Sequence, residues 1–251
     1  MDARRGLIDE FVIAAGVLTR FPLAVEAAEP GAIAASGWAF PLVGGGIGGL
    51  CAIAFFVAGL LGLPVGAAAL LAVAAGLVAT GALHEDGFAD TADGFGGGGD
   101  RERKLAIMHD SAHGTYGVVA LVLSIGLRAT AIAAIRDPVL VGLALIAAHV
   151  ASRAALPPIM FLLRPARVDG LGAAAGRPSP AVALATPLLG AVIALATLGP
   201  WAGGIALLSA GGAVTLAAML ARRQIGGYTG DVLGFFQQIG EIMMLLVAAA
   251  G

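Results

Sequence analysis

The sequence predicts an all-α, polytopic membrane bundle of about seven transmembrane helices plus an N-terminal amphipathic helix. Three observations predict it. Hydrophobic residues make up 59% of the 251-residue chain and charged residues only 12%, where soluble domains carry roughly 25% charged. The apolar residues come in long unbroken blocks, each near the ~20 residues that a bilayer core requires. No Lys or Arg stands between Arg20 and Arg101.

Taken in order, residues 7–21 place Leu7, Ile8, Phe11, Val12, Ala15 and Leu18 at helical spacing, with Asp9 and Glu10 elsewhere. This is an amphipathic helix, lying at the interface or packed on the bundle. No cleavable signal pattern follows it. The first span, 38–61, is uncharged and carries Gly44/Gly48 and Gly45/Gly49 at a spacing suited to close helix packing in lipid. Pro64 turns the chain, and a second span, 66–83, delivers a polar stretch. Spans at 117–135, 139–163, 181–198, 202–221 and 233–250 complete the set. No boundary or longer repeat divides the chain, so residues 1–251 read as a single catalytic membrane domain.

With the N-terminus in the cytoplasm, Arg4, Arg5, Arg20, Arg101, Arg103, Lys104, Arg164, Arg167, Arg177, Arg222 and Arg223 share the cytoplasmic side, and Arg136 lies opposite. The positive-inside rule favours that orientation. A net charge of -2 gives no sign of nucleic-acid binding. The single Cys51 can form neither an internal disulfide nor a thiolate metal site.

The chemistry concentrates in the polar stretch 84–116. It opens with Glu85, Asp86, Asp90 and Asp93, continues through Gly96 to Gly99, and adds Arg101, Arg103 and Lys104. Acids so close together repel unless something positive sits among them. If the chain is helical across them, Asp86, Asp90 and Asp93 fall at i, i+4 and i+7 on one face, although Gly87 weakens that helix by about 1 kcal/mol relative to alanine. Hard oxygen donors in such a set, with Glu85 as a fourth, suit Mg²⁺ or Mn²⁺ completed by water and substrate phosphate. The alternative is a solvated loop between two spans. The glycines, Gly96 and Gly97 among them, fit either a phosphate-approaching backbone or a plain linker. The basic residues fit either phosphate neutralisation or a topology signal. Together these parts describe metal-assisted phosphoryl transfer, with Asp110, His109 or a first-cluster acid such as Asp86 as general base. His84 reads as a softer ligand or as a structural hydrogen-bonder.

Elsewhere, Arg153 lies eleven residues before Arg164, ~16 Å along a helix. It is expected to face the interior and to pair with an acid or a ligand phosphate. Arg128 reads as structural. The loop 226–231 feeds a last span carrying Gln237, Gln238 and Glu241. Asp231 there reads equally as a metal or substrate contact and as a helix N-cap.

The stretch HEDGFADTADGFGGGGDRERKLAIMHDSAHGTYG resembles the signature region of the cobalamin synthase (adenosylcobinamide-GDP ribazoletransferase) family. LTRFPL at 18–23, FPLVGGGIG at 40–48, SRAALPPI at 152–159 and GGYTGDVLGFFQQIGEI at 226–242 agree, so the resemblance runs through nearly the whole chain. It implies a Mg²⁺-dependent enzyme of the bacterial cytoplasmic membrane that joins adenosylcobinamide-GDP to α-ribazole or α-ribazole 5′-phosphate and releases GMP. Substrate contacts are then expected from Gly96, Gly97, Arg101, Arg103, Lys104, Ser111, Arg153, Asp231 and Gln238. Membrane lipid surrounds the protein, no nucleic acid is involved, and an oligomer is left open. One departure stands out: Ala112 and His113 replace a basic and an aliphatic residue usual in the family, which leaves His113 or Arg101 to take over that basic role. Glu85 ranks below the aspartates, because the family tolerates an apolar residue there. A CDP-alcohol phosphotransferase would carry a differently spaced acidic motif. A cation transporter would place its acids nearer the bilayer midplane.

Overall fold

A computed structural model describes residues 6–21, 23, 31–110 and 112–251. Arg4, Arg5 and Ser111 lie outside the described residues. The chain order is α1 (Leu7–Leu18), α2 (Ala32–Ala35), a 3₁₀ turn (Ser36–Ala39) running into α3 (Phe40–Leu60), α4 (Val65–Thr80), α5 (Leu83–Gly97) and α6 (Arg101–Met108). Then come α7 (Thr115–Ile135), α8 (Pro138–Ala154), α9 (Leu156–Leu162), α10 (Gly170–Ala174), α11 (Pro180–Leu198), α12 (Pro200–Ile225) and α13 (Gly230–Ala250). Among the described residues there is no strand, only an isolated parallel bridge between Pro165 and Tyr228.

Among the described residues, six helical stretches are long and apolar enough to cross a membrane: Ala32–Leu60, Thr115–Ile135, Pro138–Leu162, Pro180–Leu198, Pro200–Ile225 and Gly230–Ala250. The α4–α5 pair counts as a seventh only when its two helices, bent by 92° to each other, are taken as one stretch. The outward side chains of the bundle are apolar: Val78, Val122, Leu188, Trp201 and Leu208 are all largely exposed, while Arg128, Arg153, Gln237 and Glu241 are buried. Lipid outside and polar groups inside are what an all-α membrane bundle requires.

The expected span 66–83 ends early, at Thr80, and the reason is local. Gly81 and Ala82 are both left-handed, and the Ala82 N–H donates to Leu77 O at 2.9 Å, closing a Schellman turn. A Cβ at Gly81 would also run into the Arg20 side chain. Glycine is needed there twice over. Beyond the bend, α5 leaves the apolar region and carries the acids.

Close packing relies on glycine at two interfaces. On α3, a Cβ at Gly44 would strike the His149 carbonyl oxygen, and one at Gly48 would lie 2.7 Å from Leu145 O. The small-residue spacing thus seats α3 directly on the α8 backbone. Gly87 and Gly234 do the same for α5 and α13: a Cβ on Gly87 would lie 2.6 Å from Asp231 O, and one on Gly234 3.0 Å from His84 O. The weak helix former at position 87 is there for approach.

Gly44→Ala is therefore expected to cost about 1–3 kcal/mol through overpacking. Gly46→Ala, which meets open space, is expected to be neutral or slightly stabilising. Thermal midpoints of the two detergent-solubilised variants check this, and equal midpoints would contradict the packing account.

Helix α1 packs on the bundle through its second half. Ile13, Ala14 and Leu18 are buried, and Trp38 Nε1 donates to Glu10 Oε2 at 2.6 Å. Its first residues, Leu7 and Ile8, stay exposed.

Candidate active site

The polar connections gather at one end of the bundle. Tyr228 N–H donates to Arg164 O at 3.0 Å and Ala166 N–H to Tyr228 O at 2.7 Å. Arg101 ties the same two loops together, donating through Nε to Ile225 O at 2.9 Å and through Nη2 to Ala166 O at 2.6 Å. Helix α7 leads away from this end, and Arg136 follows it ~31 Å further on. Arg136 thus lies at the far end of α7 from the loops that Arg101 joins.

Two of the expected acids come together with a histidine. Asp86, Asp90 and His113 each offer a donor atom, and these atoms lie within 4.8 Å of one another. His113 bridges the acids: Nδ1 is 3.4 Å from Asp90 Oδ1, and Nε2 is 3.7 Å from Asp86 Oδ1. Asp86 is open to solvent, whereas Asp90 is largely covered. Burial pushes the Asp90 carboxyl up to about 7, with the negative charges of Asp86 and Asp231 adding to the rise.

The other two acids have different employment. Asp93 Oδ2 accepts from Gly114 N–H at 2.7 Å, and Oδ1 accepts from Gly117 N–H at 2.9 Å. It caps the free amides at the start of α7 and faces the positive end of that helix. Gly114 and Gly117 leave room for it, since a Cβ on either would collide with the carboxylate. Glu85 points into the bundle, where Oε1 accepts from Arg128 Nη1 at 2.8 Å and from Gln238 Nε2 at 3.1 Å. Of the four acids expected as a metal set, Asp86 and Asp90 lie together with His113 beside them, while Asp93 and Glu85 are turned to other partners.

Several expected substrate contacts are also redirected. Gly96 and Gly97 form the last turn of α5, so their N–H groups belong to the helix, and Gly96 packs against the Tyr116 ring. Arg101 is spent on the two loop carbonyls. Arg103 is exposed on α6, and Lys104 packs over Gly98. Asp110 accepts from Ala112 N–H at 3.1 Å within its own turn and lines an open cleft of about 280 Å³ together with Gly97, Thr115 and Tyr116. His109 is exposed at the end of α6.

Arg153 and Gln238 are buried in the bundle. Arg153 Nη1 is 3.3 Å from Glu241 Oε2, and Arg128 Nη1 donates to Glu241 Oε1 at 3.0 Å. Gln238 accepts from Ser124 at 2.7 Å. Asp231 is in the first turn of α13, but Thr229 is the N-cap, accepting from Val232 N–H at 3.2 Å. The Asp231 carboxylate accepts from Thr229 Oγ1 at 3.1 Å and stands 3.9 Å from Arg167 Nη2.

A cavity of about 140 Å³ opens beside Asp86. Asp231, Arg167 and His84 also line it, and the rest of its wall is mostly apolar. The sequence offered His84 as a softer ligand or structural hydrogen-bonder and His113 as a stand-in for a basic residue, but it did not place His113 beside Asp86 and Asp90 and gave Arg167 no part in the site. The signal for His113 lay in the HGTYG run, whose glycines accommodate the Asp93 carboxylate and so bring the preceding histidine back to α5.

Fold and site together define a polytopic membrane protein with an acidic, histidine-flanked site at one membrane face. The family is more particular. The profile of the cobalamin-5-phosphate synthase family matches residues 10–249, and the chain belongs to that family. It is 52% identical over 252 residues to an adenosylcobinamide-GDP ribazoletransferase of Bradyrhizobium diazoefficiens, covering 98% of this chain and 95% of the relative. Proteins of the same name from Mesorhizobium japonicum (45%, covering 98% and 94%) and Azorhizobium caulinodans (45%, covering 91% and 90%) are similar along nearly the same length. No solved structure matches the chain.

Proposed function

We propose that this protein joins adenosylcobinamide-GDP to α-ribazole or α-ribazole 5′-phosphate, forming adenosylcobalamin or its 5′-phosphate and releasing GMP. The observation that carries the reading is the near-full-length likeness to relatives bearing that activity's name. A ribose hydroxyl of the acceptor attacks the phosphorus attached to cobinamide, and the bond to GMP breaks.

Asp86 and Asp90 fit a Mg²⁺ ion, because that ion is characteristically held by one or two carboxylates with water and substrate phosphate completing its shell. Held there, Mg²⁺ would neutralise charge on the diphosphate as GMP leaves. His113 accepts the proton of the attacking hydroxyl, a role that sequence spacing offered to Asp110, His109 or Asp86. It is the imidazole standing 3.4 and 3.7 Å from the two carboxylates, which hold its ring in place. Arg167, beside Asp231, supplies positive charge for a phosphate group of the acceptor. The site faces the cytoplasm of a bacterial inner membrane, a placement supported by the basic residues gathered at its end of the bundle.

The direct experiment combines membranes containing the protein with both substrates and Mg²⁺ and measures GMP. Absence of GMP from a folded preparation would sink the proposal. The pH dependence has a definite sign. A proton on Asp90 competes with the cation, so the Mg²⁺ concentration for half-maximal turnover is expected to fall about tenfold per pH unit up to about 7 and then level off. A half-saturation value constant between pH 5.5 and 8 would remove Asp90 from the metal set.

A further inference from the structure

The cavity beside Asp86 discriminates among the pieces of the two substrates, provided that the protein is the proposed transferase. Its volume is about 140 Å³. A cavity of ~150 Å³ lined by aliphatic and aromatic side chains takes up benzene, so this one has room for one aromatic ring, with the remainder of a bicyclic base reaching toward its polar edge, and none for a corrin macrocycle. Buried Leu18, Phe40, Leu156 and Met160 form its wall. A guanine or adenine base would turn several hydrogen-bonding edges against that hydrocarbon, and each left unpaired is costly. The base of α-ribazole, a dimethylbenzimidazole, presents methyl groups and ring carbons, with a single free ring nitrogen.

One polar side chain of that wall has an unused hydrogen-bonding atom. His84 lines the cavity, is 3% exposed, and its Nδ1 has no hydrogen-bond partner among the described residues. At the polar edge stand Asp86, Asp231 and Arg167. A nucleoside inserted base-first would leave its ribose hydroxyls beside Asp86 and its 5′-phosphate within reach of a guanidinium.

We propose that this cavity is the acceptor subsite, holding the benzimidazole base of ribazole with His84 as the hydrogen-bonding partner of its free ring nitrogen. Arg167, at the polar edge, then favours an acceptor that carries a 5′-phosphate. The cavity selects an apolar bicyclic base over a purine, and the corrin stays outside, against the surface of the bundle.

Equilibrium dialysis of α-ribazole 5′-phosphate against the full-length protein in detergent tests the assignment without requiring turnover. Leu171, half-exposed at the cavity wall, can be enlarged without overfilling the core. Leu171→Trp and Met160→Trp are expected to weaken acceptor binding at least tenfold while leaving GDP binding within twofold of wild type. Should Met160→Trp fail to fold, Leu171→Trp carries the test alone. His84→Phe is expected to abolish the preference for ribazole over an analogue whose free ring nitrogen is replaced by carbon. No acceptor binding to the wild type, unchanged binding in the folded Trp variants, or a loss of GDP binding instead would each overturn the subsite. Acceptor binding without GMP release by the wild type would overturn the transferase reading and leave the subsite standing.

Discussion

Replacing Asp86 or Asp90 by asparagine is expected to lower GMP release at least about a hundredfold without reducing the folded protein in the membrane. Asparagine keeps the size and one oxygen but removes the charge on which cation binding depends. Losing preorganised electrostatic stabilisation of a reacting phosphoryl group of this kind costs about 3 kcal/mol or more, which is a hundredfold or greater in rate. The two carboxylates lie side by side with His113 between them, so neither can cover fully for the other. Asp93→Asn should behave differently. Its side chain accepts two N–H donors from α7, and an amide presents only one acceptor oxygen, leaving the other N–H facing an NH₂ group. The expected loss is in stability, about 1–3 kcal/mol, with turnover per folded molecule falling less than in the other two. GMP release normalised to folded protein separates the cases. Near-wild-type turnover in Asp90→Asn, or the largest turnover loss in Asp93→Asn with an undisturbed thermal midpoint, would reverse the assignment.

That division of labour shows where the sequence was legible and where it stopped. The i, i+4, i+7 spacing correctly places Asp86, Asp90 and Asp93 on one stripe of a helix, but a stripe has length. Seven residues advance ~10.5 Å along the axis, enough to put Asp93 beside the start of α7 and outside the reach of a cation at Asp86. Glu85, one residue before Asp86, is turned about 100° away from it and so falls on the face that packs into the bundle. Its partner Arg128 is 43 residues distant and Glu241 a further 113; no local period links them. The hydrophobic blocks, by contrast, carry their own evidence, and each long one became a helix. The bend at Gly81 and Ala82 was hidden because apolar composition continues to Leu83 across a break made by backbone conformation.

The same geometry makes Glu241 the residue whose loss should harm the fold most. In the bundle interior Arg128 and Arg153 are balanced by Glu85 and Glu241, and Glu241 contacts both arginines. All four side chains are buried. Glu241→Leu leaves two buried guanidinium groups against one carboxylate. Removing one partner from a buried ion pair costs about 3–5 kcal/mol, because the remaining charge stays desolvated. At about 2–4 °C per kcal/mol for a chain of this size, the thermal midpoint in detergent should fall by on the order of 10 °C. A neutral subtraction should be gentler. Glu85→Gln with Arg128→Met removes one charge of each sign and leaves Arg153 paired with Glu241, so the double variant should be more stable than Arg128→Met alone. Its activity should nonetheless fall. Glu85 adjoins Asp86 on α5, and its bond to Arg128 fixes the rotation of α5 that presents Asp86 and Asp90 to His113. A double variant no more stable than the single one would mean that the four charges are not coupled. One that is stable and fully active would mean that α5 takes its rotation from the Gly87–Gly234 contact alone.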